Sequence, residues 1–419
     1  MASDINREIG LAAAILSEKV GRRVVPGEVV ECDVDVALTH DVLGPPTFRE
    51  FAKLGVPVWN PDRVFLAIDH FVPAANTAQA ANNAFLTEVA ERHGIVNRAF
   101  YDGPSHQTLL ESGLVQPGSV VVGTDSHTCT AGVLGSFATG IGTTEMVSVL
   151  ALGRLWLKVP ESVRVRLQGR LPDGVYAKDV VLSLLARFGT SEFTYRSLEF
   201  DGEGVEAMSL DERTVFSNMA VELGAKVGLF SSPELDGFVR RWGAVPTESG
   251  VGVIDQVDID LSEQVPMCAV PHNPANSKPI EEVEPVAVQQ AFIGSCTGGR
   301  YDDFVQAARI LNGRRVSDKT RLIVVPASRR VYQRMALDGL LNVFVNAGAI
   351  VQSPSCGPCA GLQNGVLGDG EVSISASNRN FQGRMGNPAA SVYLASPAAV
   401  AAAAVAGRIV DPREFLETR

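Results

Sequence analysis

Aromatic residues are scarce, at 6% of 419 residues, and cysteine occurs only six times. No uninterrupted apolar run reaches the ~18 residues a membrane helix needs, so no membrane span is expected. The segment Met1–Gly10 lacks a basic stretch followed by an apolar one, so it is not expected to be a signal peptide. Basic residues are outnumbered, 36 Lys+Arg against 47 Asp+Glu, for a net charge of −11. A field of that sign draws in neither nucleic acid nor anionic membrane. The few cysteines are scattered without an extracellular pattern. This favours a reducing cytoplasm, with thiols kept for metal or for packing.

What the chain has in quantity is turn-forming residues, 40 glycines and 23 prolines. They imply a site built on loops. Strand-like and helix-like stretches alternate, which predicts an α/β fold. Near the C-terminal end the pattern is clearest. Ala291–Ile293 ends a strand, Asp302–Leu311 is a helix, Leu322–Pro326 a strand, Val331–Leu341 a helix and Val343–Val351 a further strand. The run from Ser396 to Gly407 reads as a helix, with Ser396 as N-cap, Pro397 in the first turn and Gly407 as stop. The proline-rich stretch Pro274–Pro285 reads as a linker, and a second boundary falls near Lys158–Glu161. Three α/β domains result, 1–160, 161–275 and 286–419. No internal repeat is evident.

Three cysteines stand out. Cys296 lies in Ile293-Gly-Ser-Cys-Thr-Gly-Gly-Arg300. Cys356 and Cys359 lie in Ser353-Pro-Ser-Cys-Gly-Pro-Cys-Ala-Gly361. Each stretch follows a predicted strand, and sites in parallel sheets form beyond the carboxyl ends of strands. Structural zinc and electron-transfer clusters normally take four protein ligands. Three thiols suggest a metal centre with one position open, and an open position permits Lewis-acid chemistry. Cys356-Gly-Pro-Cys359 alone also suits a redox pair or zinc, but with Cys296 an iron–sulfur site is the preferred reading. Cys32, Cys129 and Cys268 read as buried or incidental thiols.

Four of the six histidines fall between residues 40 and 127. Three sit beside aspartates, in His40-Asp41, Asp69-His70 and Asp125-Ser126-His127, and the fourth is His106. Taken singly, each reads more simply as a structural histidine. The Asp125-Ser126-His127 stretch follows the strand-like Val120–Gly123 and precedes a glycine-rich run, which favours a functional role. Asn218 and Glu222 are spaced i, i+4, on one face of a helix. Asn378-Arg-Asn-Phe-Gln-Gly-Arg384 carries two arginines whose planar donors suit carboxylates. A solvated surface loop is the plainer alternative.

Four stretches together carry a resemblance over essentially the whole chain. They are Gly123-Thr-Asp-Ser-His-Thr-Cys-Thr130, Gly294-Ser-Cys-Thr-Gly-Gly299, Ser355-Cys-Gly-Pro-Cys-Ala-Gly361 and Asn378–Arg384. In this order they resemble the aconitase superfamily, and within it the large subunits of isopropylmalate dehydratases and homoaconitases. The resemblance implies three α/β domains around a central cleft. In the cleft a [4Fe–4S] cluster with one labile iron would be held by Cys296, Cys356 and Cys359. It implies a hydro-lyase that removes and re-adds water on a hydroxy di- or tricarboxylate. By motif position, Asp69 and His70 would protonate the departing hydroxyl. Asp125, His127 and His106 would support the iron-bound water, with Ser126 beside them. Asn218 and Glu222 would lie next to the cluster. Arg379 and Arg384 would hold substrate carboxylates, with Asn378 close by. The family's swivelling C-terminal domain has no counterpart here. A separate small subunit is therefore expected to supply it, with its serine base.

Leu43-Gly-Pro-Pro-Thr-Phe48 and Gly103-Pro-Ser-His106 depart from the family's usual sequences near the site. This leaves the substrate open among isopropylmalate, maleate, citraconate, dimethylmalate and homocitrate. A regulatory iron sensor that binds RNA is a further reading, against which the acidic balance counts. A zinc-bound structural protein is another.

Overall fold

The parallel sheets of this protein repeat one strand order. In the first sheet the order is Arg98–Phe100, Val64–Ile68, Val36–His40, Val120–Gly123, Phe137–Gly140, all parallel. Numbered along the chain, that is 3-2-1-4-5. The second sheet runs Val227–Phe230, Ser197–Asp201, Ser162–Gln168, Asp255–Asp260, again parallel and again 3-2-1-4. The third has a parallel body of Ile350–Val351, Arg321–Val324, Gln290–Ile293, Val372–Ser375 and Ser391–Ala395, once more 3-2-1-4-5. No sequence repeat signalled this common topology. This computed structural model describes residues 9–244 and 255–416. The Met1–Gly10 stretch lies outside them except for Ile9 and Gly10. So does 245–254, within the expected second domain.

The α/β class expected from the alternating pattern is what the structure has. Its strands are short Val/Ile/Leu runs buried on both faces, such as Val64–Ile68 and Val120–Gly123, as crossover helices on both sides of a sheet require. Helix Pro397–Ala406 is apolar all round and buried from Pro397 to Ala404. Its alanines allow close approach to helix Tyr301–Leu311 and strand Gln290–Ile293. Ser396 occupies the N-cap position, without a side-chain capping bond, and Gly407 ends the helix as expected at φ 71°. Among the described residues no helix is long and apolar enough to cross a membrane.

Three expectations fail. Val331–Leu341 is not one helix: Arg329–Leu337 ends at Asp338, and Gly339 separates it from the next. Val343–Val351 is not a strand: Leu340–Ala347 is a helix and only Ile350–Val351 pairs. Gly339 (φ 77°) and Gly348 (φ 92°) bound that helix, and Phe344 and Ala347, three apart, face the core. Packing at helical spacing overrides the strand propensity of Val-Phe-Val. Nor is Pro274–Pro285 a free linker. Ser277–Pro279 pairs with Met267–Ala269, which in turn pairs with Ser391–Ala395, extending the third sheet by two antiparallel strands.

Candidate active site

In a 3-2-1-4-5 sheet, strands 1 and 4 are neighbours whose connections leave in opposite directions. The crevice beyond their carboxyl ends is the natural ligand site. In the first sheet these strands are Val36–His40 and Val120–Gly123, and His40-Asp41 and Asp125-Ser126-His127 follow them. In the third sheet they are Gln290–Ile293 and Val372–Ser375, and Cys296 and Asn378-Arg379 follow those. Hydrogen bonds join the two crevices into one site. The second unit contributes through helix Leu210–Met219 and the turn Ala220–Leu223, which carry Asn218 and Glu222, rather than through its strand ends.

Close packing around the Cys296 loop is enforced by glycine. A Cβ on Gly298 would lie 2.5 Å from Ala376 Cβ and 2.6 Å from Ala376 O. Ser295 adopts φ 70°, in the left-handed region that costs a non-glycine residue. The fully buried Asn218 ties the loop down. Its Nδ2 donates to Thr130 Oγ1 at 2.8 Å and to Cys296 Sγ at 3.3 Å, and its Oδ1 accepts from Thr297 Oγ1 at 2.7 Å. Asn378 Nδ2 donates to Thr297 Oγ1 at 3.0 Å and faces Cys296 Sγ at 3.8 Å. Its Oδ1 lies 3.8 Å from Cys359 Sγ. Arg384 Nη2 reaches Cys359 Sγ at 3.7 Å, and Cys356 Sγ lies 3.9 Å from Asp69 Oδ2.

All six cysteines are free. Burial raises the Cys359 thiol, but the Arg384 guanidinium and then His127 outweigh it, leaving the thiol below its ordinary value. Burial pushes Cys356 up in spite of His70. Burial also holds Cys32 and Cys268 up at about 12, as inert thiols. Cys129 is likewise buried, its Sγ against Asn218 O at 3.4 Å.

Carboxylate–imidazole pairs surround the thiols. His70 Nδ1 is 2.7 Å from Asp69 Oδ1, and Ser105 N donates to Asp69 Oδ2 at 2.6 Å. Burial opposes charge on His70, yet Asp69 raises its pKa well above the ordinary value. His106 Nε2 is 2.9 Å from Asp125 Oδ1, which also accepts the His127 backbone N–H at 2.7 Å. Against burial, His106 and then His127 hold the Asp125 carboxyl well below its usual range. His127 Nε2 is 2.9 Å from Glu222 Oε1, and that carboxylate lifts His127 to about 10 against its burial. Arg379 donates from Nε to Glu222 Oε1 at 2.7 Å and from Nη2 to Ser126 Oγ at 3.0 Å.

Every residue singled out as a site candidate thus lies in this one cleft, linked to another of the set. The set was incomplete. His40 stacks on His70 with ring centroids 4.5 Å apart, and Asp41 accepts the backbone N–H groups of His70 and Phe71. Arg300, 1% exposed, donates to Thr297 O and to Gln107 Oε1, bracing the Cys296 loop against the His106 helix. The signal for Arg300 was its place directly after Gly298-Gly299. The signal for Asp41 was its place after a buried strand. Several buried polar atoms here lack a protein partner: His106 Nδ1, Glu222 Oε2, Arg384 Nε and His40 Nε2. Buried polar groups are normally paired, so the cleft is built to receive polar ligands. Three thiols, proton-holding pairs and a guanidinium suit a metal-assisted reaction of a carboxylate compound.

The sequence profile described as "Aconitase family (aconitate hydratase)" matches residues 14–235 and 275–407. A probable 3-isopropylmalate dehydratase large subunit of Methanothermobacter thermautotrophicus is 47% identical, covering 95% of this chain and 97% of its own. A 3-isopropylmalate dehydratase large subunit of Methanopyrus kandleri is 46% identical, covering 97% and 99%. A probable methanogen homoaconitase large subunit, also from Methanothermobacter thermautotrophicus, is 44% identical, covering 97% and 98%. Among solved structures, aconitase X of Thermococcus kodakaraensis in its holo-form superposes with a TM-score of 0.51. Its identity is 12% and it covers 87% of each chain, a likeness of fold.

Proposed function

The chain belongs to the aconitase family, and from that premise we propose that it is the cluster-bearing large subunit of a hydro-lyase acting on a small hydroxy dicarboxylate. The substrate we assign is isopropylmalate, interconverted between its 2- and 3-hydroxy forms. Support comes from near-full-length relatives named for 3-isopropylmalate dehydratase. The 44% identical homoaconitase large subunit favours a tricarboxylate as the second reading.

The observation that carries the proposal is the convergence of three free thiols, Cys296 and Cys359 buried and Cys356 partly exposed, with the Asp125–His106 and Glu222–His127 pairs and with Arg379. Members of this family hold a [4Fe–4S] cluster. The donor set fits one: three free thiols, two of them buried, one drawn toward thiolate by Arg384, with partnerless polar atoms in the same site. We assign Cys296, Cys356 and Cys359 as its ligands. When bound, such a cluster supplies a Lewis-acidic iron that eases departure of hydroxide.

The chain's own residues do the rest. His70, kept protonated by Asp69, delivers a proton to the departing oxygen. His106, Asp125 and His127 hold and relay protons beside His70, across His40. Arg379, fixed by Glu222 and Ser126, presents its remaining donor to a substrate carboxylate. Arg384 takes a second carboxylate, and Asn218 and Asn378 steady the thiols. A small partner chain completes the pocket and supplies the base that removes the carbon-bound proton. The "large subunit" in the relatives' names supports this. We place the assembly in the cytoplasm and divide the chain near 160 and, in place of 275–286, ahead of Met267, because Met267–Ala269 and Ser277–Pro279 belong to the third sheet.

The test is turnover by the anaerobically purified chain, with and without a small subunit of a dehydratase of this family, on a panel of hydroxy diacids and triacids. Dehydration of isopropylmalate only in the presence of both chains is the expected result. Loaded complexes that turn over none of the panel would overturn the proposal.

A further inference from the structure

Asp41 was noted only as the sequence neighbour of His40 and given no role, yet it is completely buried beside the site. It follows strand Val36–His40, and the paired neighbouring strand Val64–Ile68 delivers Asp69-His70 alongside. Its carboxylate accepts the His70 backbone N–H at 3.1–3.2 Å and the Phe71 backbone N–H at 2.6 Å. Asp41 Oδ1 also lies 3.5 Å from His70 Nδ1, whose hydrogen bond runs to Asp69 Oδ1 at 2.7 Å. On the other side, the His40 ring stacks against the His70 ring at 4.5 Å, tilted by 27°.

His70 is therefore held at its backbone, its Nδ1 and its ring face. Both backbone bonds come from the Asp41 carboxylate. Two carboxylates meet Nδ1, so Nε2 is the nitrogen left to serve the cleft. A short charged acceptor is what this geometry needs. One aspartate spans two successive N–H groups where no strand partner continues, and an unmet buried N–H would be costly.

We propose that Asp41 is a positioning residue for His70: it fixes the turn at His70-Phe71 and the ring orientation from which Nε2 meets the departing oxygen. This rests on the hydro-lyase reading for its kinetic consequence, though not for its geometric one. No hydrogen bond joins Asp41 to the three thiols, and it reaches Cys356 only through His70, so its removal is expected to spare cluster binding.

Oδ2 alone accepts both N–H groups, so asparagine at 41 can keep those bonds only by turning its NH2 to the place of Oδ1, against His70 Nδ1 and the His70 N–H. In the complex with the small chain, Asp41→Asn is expected to lower kcat about 100-fold, the scale of an ångström misplacement of a reacting group. KM, iron content and melting temperature should hardly change. In a His70→Gln background the same substitution should cost nothing further, because its effect passes through His70. Asp41→Glu, which keeps both acceptors but displaces them by a methylene, gives the same test should Asn at 41 not fold. Independently of turnover, 15N NMR of the full chain should show the His70 ring signals moved by Asp41→Asn and those of His127 unmoved. Undiminished kcat, equal losses with and without His70, or a parallel loss of iron and fold would each overturn the proposal. So would unshifted His70 signals. If the wild-type complex dehydrates nothing while the His70 signals still shift, the hydro-lyase reading fails and the positioning role stands.

Discussion

Replacing Gly298 by alanine tests whether the close fit of the Cys296 loop serves the metal centre. The new Cβ would stand 2.5 Å from Ala376 Cβ and 2.6 Å from Ala376 O. Carbon atoms rest at about 3.5–4.0 Å, so the loop must retreat by about 1 Å from the end of strand Val372–Ser375. Neither neighbour can swing aside, since one is a backbone oxygen and the other a Cβ fixed to the backbone. Overpacking of this kind costs about 1–3 kcal/mol. The loop can relieve the strain by moving, but Cys296 then leaves the position set by Asn218 and Asn378. If the cluster pulls the loop back, the same energy comes out of binding, and cluster affinity falls about 5- to 150-fold. The assay is the rate of iron loss to a chelator under anaerobic conditions, alongside the melting temperature. Gly237→Ala is the control. Gly237 lies in helix Asp236–Trp242 and its added Cβ meets nothing within 4 Å. There alanine should stabilise by about 0.5–1 kcal/mol and leave iron untouched. Wild-type iron retention in Gly298→Ala would refute the reasoning.

Three other outcomes follow from the same geometry. Cys356→Ser should fold normally but fail to assemble the cluster, as read by iron content and circular dichroism; a fully loaded, active variant would remove Cys356 from the ligand set. Arg379→Lys cannot keep bonds to Glu222, Ser126 and substrate together, and losing one charged hydrogen bond of about 1.5–3 kcal/mol should lower kcat/KM roughly 10- to 150-fold. Burial lifts the Asp179 carboxyl from 3.8 to about 7. Between pH 4 and 7 the unfolded chain then ionises it while the folded chain keeps the proton, so this group's contribution to stability falls as pH rises. The upper bound is on the order of 4 kcal/mol, and an unchanged pH slope of the denaturation midpoint in Asp179→Asn would contradict it.

The three cysteines, Asp125-Ser-His127 and Arg379 were legible because each sits in a short run of turn-forming residues after a strand. That places side chains at a sheet edge whatever the packing beneath. Asn218 and Glu222 were expected on one helix face, but the helix ends at Met219 and Glu222 lies in the turn that follows. That they meet Cys296 and Arg379 is a long-range fact, set by how three sheets turn toward one another. Asp41 was given no role because its work is done on backbone groups of another segment, and Arg300 because its partner across the site is the Gln107 side chain; such long-range bonds leave no local pattern. The helix Leu340–Ala347 was misread from its β-branched residues, although glycines at both ends marked it. The repeated 3-2-1-4 strand order is invisible in sequence because topology constrains connection handedness and burial rather than residue identity.

The central claim is that Cys296, Cys356 and Cys359 together hold an iron–sulfur cluster with one exchangeable iron. Iron and acid-labile sulfide in the anaerobically purified chain, with EPR before and after mild oxidation, test it most directly. The account predicts near four of each per chain and a three-iron signal on oxidation. Zinc in place of iron, or no metal after anaerobic reconstitution, would contradict it.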